Sequence, residues 1–177
     1  MNRKQDTVTY RIEPLGEHHN RAAFSSGVEA LDRYLQRHAA QDISKRVAAA
    51  FVITPDGKTI AGFYTLSVHV LVLANLPQSV AKKLPRYPNV PATLLGRLAV
   101  SRDFRGQGLG ELLLVDAFKR VLANSREVAS AAVVVDAKGA RARDFYLRQD
   151  FIPLLSQPNR LFYLVKTIAK LFAPERL

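Results

Sequence analysis

The 177-residue chain contains no cysteine. That excludes disulfides, thiolate metal sites and a cysteine nucleophile. No apolar run reaches the ~18 residues of a membrane helix. The opening residues, MNRKQDTVTYRIE, have no apolar centre of the signal-peptide kind. A soluble, cytoplasmic protein without membrane attachment is therefore expected. Repeats, low-complexity tracts and linkers are also lacking, so residues 1–177 read as a single domain. The most informative shortage is of acid. From Gly57 to Arg102 there is no Asp or Glu, while Lys58, Lys82, Lys83, Arg86, Arg97 and Arg102 fall in that span. Over the whole chain, 26 Lys and Arg face 15 Asp and Glu, for a net charge of +11. A charge distribution this one-sided points to a polyanionic partner, because clustered cations displace condensed counterions from nucleic acid.

Apolar periodicity gives the element order. Thr7–Glu13 alternates as a strand. Ser26-Gly27-Val28-Glu29 reads as a capping box opening a helix that runs to about Ala40. Val47–Thr54 and Thr59–Val68 read as an antiparallel hairpin turned by Pro55-Asp56-Gly57-Lys58. A proline-rich loop with a short helix near Gln78–Leu84 separates them from a strand at Thr93–Val100. A helix over Glu111–Leu122 is apolar around most of its circumference and reads as buried. Ala131–Val135, a continuous apolar run, reads as a central strand covered on both faces. A helix over Lys138–Arg148, strands at Phe151–Leu155 and Leu161–Val165, and a helical tail over Lys166–Phe172 complete the chain. The fold class is α/β with a mixed antiparallel and parallel sheet flanked by helices.

Between the strand ending at Val100 and the helix that follows lies Arg105-Gly106-Gln107-Gly108-Leu109-Gly110. A glycine-rich turn into a helix N-terminus presents free N–H groups and a positive dipole end to an anion, typically a phosphate. A P-loop would need Lys and Ser or Thr after the last glycine, but Glu111 and Leu112 stand there. The dinucleotide fingerprint would need a glycine at Glu111. Arg105, Gly108 and Gly110 do fit a pattern of Arg or Gln, two residues, Gly, one residue, then Gly or Ala. That pattern resembles the acyl-CoA pyrophosphate loop of the GNAT acetyltransferases. A second GNAT feature follows about 40 residues later. Phe145-Tyr146 precedes Asp150-Phe151, matching the family's Phe-Tyr and Gly-Phe setting except that aspartate replaces glycine.

A narrower resemblance covers nearly the whole chain. Phe24 to Leu35, Gly62-Phe63-Tyr64-Thr65-Leu66-Ser67, Leu95-Gly96-Arg97-Leu98-Ala99-Val100 and Tyr163-Leu164-Val165-Lys166-Thr167-Ile168 are similar to segments of the GNAT toxins of type II toxin–antitoxin pairs. The resemblance implies the GNAT fold and acetyl-CoA as co-substrate, with no metal. It implies transfer of acetyl to the α-amino group of aminoacyl-tRNA, which blocks translation. It also implies a ribbon-helix-helix antitoxin and a homodimer. By the same resemblance, Leu98, Ala99 and Val100 pair with the pantetheine arm. The amides of Arg105, Gly106, Gln107, Gly108, Leu109 and Gly110 hold the pyrophosphate, and Tyr146 protonates the departing thiolate. Candidate RNA contacts are Arg33, Arg37, Lys45, Arg46, Arg86, Arg97, Lys138, Arg141 and Arg143. A GNAT enzyme acetylating a protein N-terminus or a small-molecule amine is the alternative.

The choice of acceptor follows from proton chemistry. A lysine amine, with a pKa near 10.4, needs a base at neutral pH; an α-amine near 7.7–8.0 needs little help. The acid-free central strands offer only His69 as a base. A base-poor, cation-rich protein thus suits an amine carried on RNA better than a protein lysine or a polycationic small molecule.

Overall fold

The computed structural model describes residues 7–174; the first six residues of the stretch expected to lack a signal sequence lie outside the described residues. The chain gathers into two compact units. The first comprises the chain through Tyr64 together with Leu98–Leu114. The second comprises Thr65–Arg97 together with the chain from Val115 onward. The strands are β1 (Arg11–Pro14), β2 (Ala49–Thr54), β3 (Gly62–Val72), β4 (Asn89–Val100), β5 (Ala132–Asp136), β6 (Ile152–Pro153) and β7 (Arg160–Leu164). Among the described residues they form a seven-stranded sheet in the order β1-β2-β3-β4-β5-β7-β6. β4 runs parallel to β5; the pairs β1/β2, β5/β7 and β6/β7 are antiparallel. The helices are α1 (Glu29–Arg33), α2 (Ala39–Ser44), α3 (Gln78–Ala81), α4 (Leu109–Asn124), α5 (Ala140–Arg148) and α6 (Val165–Leu171), so the mixed sheet flanked by helices is as expected.

In the first unit, β1 starts at Arg11 rather than Thr7. Its ladder opens with Arg11 opposite Thr54, the last residue of β2, so residues 7–10 have no strand to pair with. After Thr54 the Asp56 carboxylate accepts from the Lys58 and Thr59 N–H groups at 2.8 and 2.6 Å and from the Thr59 hydroxyl at 2.7 Å. These bonds, the Thr59 hydroxyl first, hold its carboxyl far below the usual range, and Gly57 at φ +79° completes the turn. The seven residues between Thr54 and Gly62 are too few for a parallel crossover, so the expected hairpin stands.

The expected capping box does not form. Val28 caps α1 without a side-chain bond. Ser26 turns instead to Asp32, whose Oδ1 accepts from the Ser26 hydroxyl at 2.6 Å and its N–H at 2.8 Å. Glu29 is taken by Arg33 one turn on, which leaves the box without its acidic partner. A π-helical turn, Tyr34–His38, then joins α1 to α2. Phe24, Tyr34, Leu35, Val52, Ile60, Phe63 and Ala99 form this unit's core. Gly62 lies against this core with no room for a side chain: a Cβ there would lie 2.9 Å from the Ala99 carbonyl oxygen and 2.9 Å from Leu113 Cδ1.

In the second unit, Ala132–Val135 of β5 are fully buried, as a strand between β4 and β7 must be. Leu71, Val90, Val134, Leu154 and Phe162 pack there. One expectation is corrected: α4 is not buried all round. Leu112 and Val115 are 48% and 40% exposed, because only the stripe through Leu113, Leu114, Ala117, Phe118 and Val121 is covered.

Candidate active site

The first unit carries the glycine turn. β4 pairs with β5 only from Ala92 to Leu95, then continues five residues to Val100. Leu98, Ala99 and Val100 are thus strand residues beyond the end of that ladder. Their backbone is released from β5, the condition an extended ligand needs to pair with a strand. A single 3-10 turn, Arg102–Phe104, follows, and then the chain extends at Arg105 with φ −67° and ψ 156°. Gly106 and Gly108 adopt φ +77° and +72° before α4 begins at Leu109. A side chain at either position costs about 1–2 kcal/mol in the left-handed region. Among the described residues, the N–H groups of Gly106, Gln107 and Gly108 donate to no backbone carbonyl. The first N–H groups of α4 likewise have no carbonyl a turn before them. Residues 105–108 are exposed and Gly110 is half-buried, while Leu109, 2% exposed, anchors the helix start. Gly110 lies within α4 with ordinary helical φ.

Two side chains of the turn are already engaged. The Gln107 Oε1 accepts from the Tyr10 hydroxyl at 2.7 Å. The Arg105 guanidinium donates to the Ser26 carbonyl and so faces the segment before α1. Arg105 therefore braces the turn against the segment before α1. The Glu111 carboxylate lies 3.3 Å from the place a Gly108 Cβ would take.

The second unit carries Tyr146, on α5. Its ring is 6% exposed and packs edge-on against Phe145 and Phe151, with centroids 5.2 Å from each. Phe151 continues into an aromatic cluster with Phe118 and Tyr163, at 5.8 and 5.4 Å. Burial pushes the phenol well above its ordinary pKa of 10, so it stays protonated across the physiological range. No sealed side-chain oxygen or nitrogen lacks a partner among the described residues. The Tyr146 hydroxyl has no such partner, so its oxygen must retain contact with solvent. It is a neutral O–H donor in an apolar surround.

The aspartate in place of the family glycine is explained by the backbone. Asp150 ends α5 at φ +66°. The Phe151 N–H donates back to the Tyr146 carbonyl at 3.1 Å. A left-handed residue is what such a helix end requires, and aspartate tolerates it better than most.

The acid-free span ends at Arg102, and a carboxylate, Asp136, lies beyond it on a central strand. This carboxylate ends β5, opposite Arg160 on β7. Arg160 Nε and Nη2 donate to its two oxygens at 2.6 and 3.0 Å. The paired guanidinium keeps the Asp136 carboxyl below its ordinary range and raises Arg160. The signal was in the sequence: an acid terminating a buried strand just before a helix sits where open sheets hold their ligands. His69 on β3 is half-buried, and its pKa is lowered first by burial and then by Arg160. It is a neutral imidazole at pH 7, able to accept a proton.

The candidate RNA contacts fall into two groups. Arg33, Arg37, Lys45 and Arg46 lie along and just after the first unit's helical segment, with Arg33 paired to Glu29. Arg86, Arg97, Lys138, Arg141 and Arg143 lie in the second unit. Arg97 is half-buried in β4, and Arg143 Nε donates to the Pro158 carbonyl at 3.0 Å. Glu13, His18 and His19 also bring three ligand-type atoms within 4.8 Å of one another. Hydrogen-bond polarity makes this cluster a clasp. His19 Nδ1 accepts from the Gly16 N–H at 2.9 Å, so Nε2 carries the proton and donates to Glu13 at 2.8 Å.

Residues 46–153 match the family model described as the acetyltransferase (GNAT) domain. The chain belongs to the GNAT acetyltransferase family. A relative from Mycobacterium tuberculosis, named tRNA-acetylating toxin, is 36% identical over 144 residues, covering 81% of this chain and 85% of the relative. The solved structure of AtaT complexed with acetyl-methionyl-tRNAfMet superposes with a TM-score of 0.85 at 33% identity, covering 93% of this chain and 100% of the other. A tyrosine-to-phenylalanine variant of the AtaT toxin, solved with acetyl-CoA and the C-terminus of the antitoxin AtaR, gives a TM-score of 0.78 at 29% identity, over 93% and 98%. Among the described residues, no helix is long and apolar enough to cross a membrane.

Proposed function

We propose that this protein transfers the acetyl group of acetyl-CoA to the α-amino group of aminoacyl-tRNA, and that it is a toxin blocking translation. The observation that carries the reading is the glycine turn, with two left-handed glycines and a row of amides that no backbone group satisfies. Such a turn is an anion cradle, and a pyrophosphate is the anion whose size and charge suit several convergent N–H groups. Leu98, Ala99 and Val100 offer the pantetheine arm a strand edge. The amides from Gly106 to Gly110 hold the pyrophosphate; the expected Arg105 amide is set aside, because its N–H donates to the Arg102 carbonyl at 3.4 Å.

The amine nitrogen attacks the thioester carbonyl, the carbon–sulfur bond breaks, and the electron pair goes to sulfur. Tyr146 gives that sulfur a proton. Its raised pKa makes it a weak acid toward a thiolate of pKa about 8.5 in water. An apolar setting raises the thiolate as well, which narrows the gap, and position supplies the rest. The attacking amine loses its own proton to water or to neutral His69. The acid-poor protein suits an α-amine, already substantially neutral at pH 7.

Arg33, Arg37, Lys45, Arg46, Arg86, Arg97, Lys138, Arg141 and Arg143 are proposed to contact tRNA phosphates. We further propose one catalytic domain acting in the cytoplasm, a homodimer, and neutralisation by a ribbon-helix-helix antitoxin. Incubation with radiolabelled acetyl-CoA and bulk charged tRNA tests the reading. Label should appear on aminoacyl-tRNA; its absence would turn the assignment to a protein N-terminus or a small amine.

A further inference from the structure

In an aminoacyl-tRNA the amine sits on an amino acid esterified to the ribose of a terminal adenosine. An enzyme that acetylates this amine must also give the adjoining nucleotide a place. The second unit contains a cleft of about 550 Å³ that the steps above leave unused. It is lined by two segments, Asp136–Gly139 and Gln157–Arg160. The volume lies within the ~300–1,000 Å³ range of small-ligand sites. Its position is that of a ligand site in an open sheet. Asp136 follows directly on Val135, the last residue of β5 to pair with β4. Gly139 directly precedes α5, the helix carrying Tyr146.

The walls are held in place. The Ala137 N–H donates to the Asn159 carbonyl at 2.8 Å, tying one segment to the other. The Arg160 N–H donates to the Gln157 carbonyl at 2.9 Å and closes the second segment on itself. Arg143 holds the Pro158 carbonyl, and Asp136 fixes the Arg160 guanidinium with two bonds. On this frame Gln157, Asn159 and Lys138 stand exposed. A primary amide offers a donor and an acceptor side by side, which matches the edge of adenine. A lysine beside it matches a phosphate.

We propose that this cleft is an adenosine-phosphate subsite and that the terminal nucleotide of the acceptor RNA fills it. Gln157 and Asn159 read the base, and Lys138 meets the phosphate. The inference rests on the aminoacyl-tRNA reading above. The adenosine of acetyl-CoA is the other source of the same chemistry, and the test separates the two.

The double variant Gln157→Ala/Asn159→Ala changes only exposed side chains. Its kinetics are compared with wild type for aminoacyl-tRNA, for acetyl-CoA and for an amino acid methyl ester, an acceptor with no nucleotide. The loss of kcat/KM should be roughly tenfold greater for aminoacyl-tRNA than for the ester, as for the loss of a bidentate base contact. The KM for acetyl-CoA should move less than that for aminoacyl-tRNA. Equal losses on both acceptors, or a rise mainly in the KM for acetyl-CoA, would overturn the proposal. Calorimetry with adenosine 5′-monophosphate at saturating acetyl-CoA gives a readout free of catalysis. Wild type should bind and the double variant should not; equal binding would again overturn it. Wild type that binds the nucleotide but leaves aminoacyl-tRNA unlabelled would overturn the acceptor reading and not the subsite.

Discussion

Replacing Tyr146 with phenylalanine separates proton donation from packing, because it removes one oxygen and keeps the ring. The ring makes the contacts: Phe145 and Phe151 at 5.2 Å each remain in place. The lost hydroxyl has no partner among the described residues, so its removal orphans no other group. Stability should therefore change by less than about 1 kcal/mol, which for a protein of this size is about 4 °C in Tm or less. Catalysis should fall by the share of a general acid, about 10²–10⁴-fold, or roughly 3–5 kcal/mol. The assay is steady-state acetyl transfer beside a thermal melt of the same sample.

The raised phenol pKa adds a pH signature. Tyr146 is protonated when folded, while the unfolded chain ionises near pH 10. Its contribution is thus constant below about pH 10, and above it the unfolded state gains and stability falls. In the phenylalanine variant that alkaline component disappears. The wild-type rate should show no decline from Tyr146 ionisation below the same pH. A variant retaining more than a tenth of the wild-type rate, with an unchanged melt, would refute Tyr146 as the proton donor. A loss of rate accompanied by a large fall in Tm would assign the residue to packing.

Gly106→Ala adds a Cβ that meets nothing within 4 Å, so its cost is the backbone's, about 1–2 kcal/mol; it should raise the KM for acetyl-CoA, and an unchanged KM would remove the turn from the binding site. Gly62→Ala has an ordinary φ but pushes a methyl to 2.9 Å from the Ala99 carbonyl and Leu113. Overpacking of about 1–3 kcal/mol should appear in a urea melt. Asp150→Gly should stabilise by about 1 kcal/mol, since glycine takes φ +66° without penalty; a lower denaturation midpoint would show that the carboxylate has another duty. Asp136→Asn tests the pair with Arg160. A depressed carboxylate contributes stability above its unfolded pKa of about 3.9 and loses it as the pH falls through the lower folded value. The variant should be less stable at pH 7 and show a shallower acid transition below about pH 4.

Much of the candidate site could be read from residue order, because its parts are local. Strand, glycine turn and helix are neighbours in the chain, and left-handed φ at Gly106 and Gly108 is what a Gly-x-Gly turn into a helix demands. The central position of β5 was legible from Ala131–Val135 because only a strand covered on both faces can be apolar throughout. The capping box failed because its acid had a nearer cation: Arg33 takes Glu29, and Ser26 finds Asp32 instead. The exposure of Leu112 and Val115 was hidden because composition does not say which stripe of a helix meets the sheet.

By itself, the sequence determined the element order, the mixed sheet, the glycine turn into a helix and the family, since each depends on neighbouring residues or on a periodic pattern. Only the tertiary structure decided what depends on partners distant in the chain. It put Arg160 on Asp136 and kept Tyr146 protonated by burying it. It released Leu98–Val100 by ending the β4–β5 ladder at Leu95. A pKa, a free strand edge and a cleft are properties of surroundings, and surroundings exist only once the chain has folded.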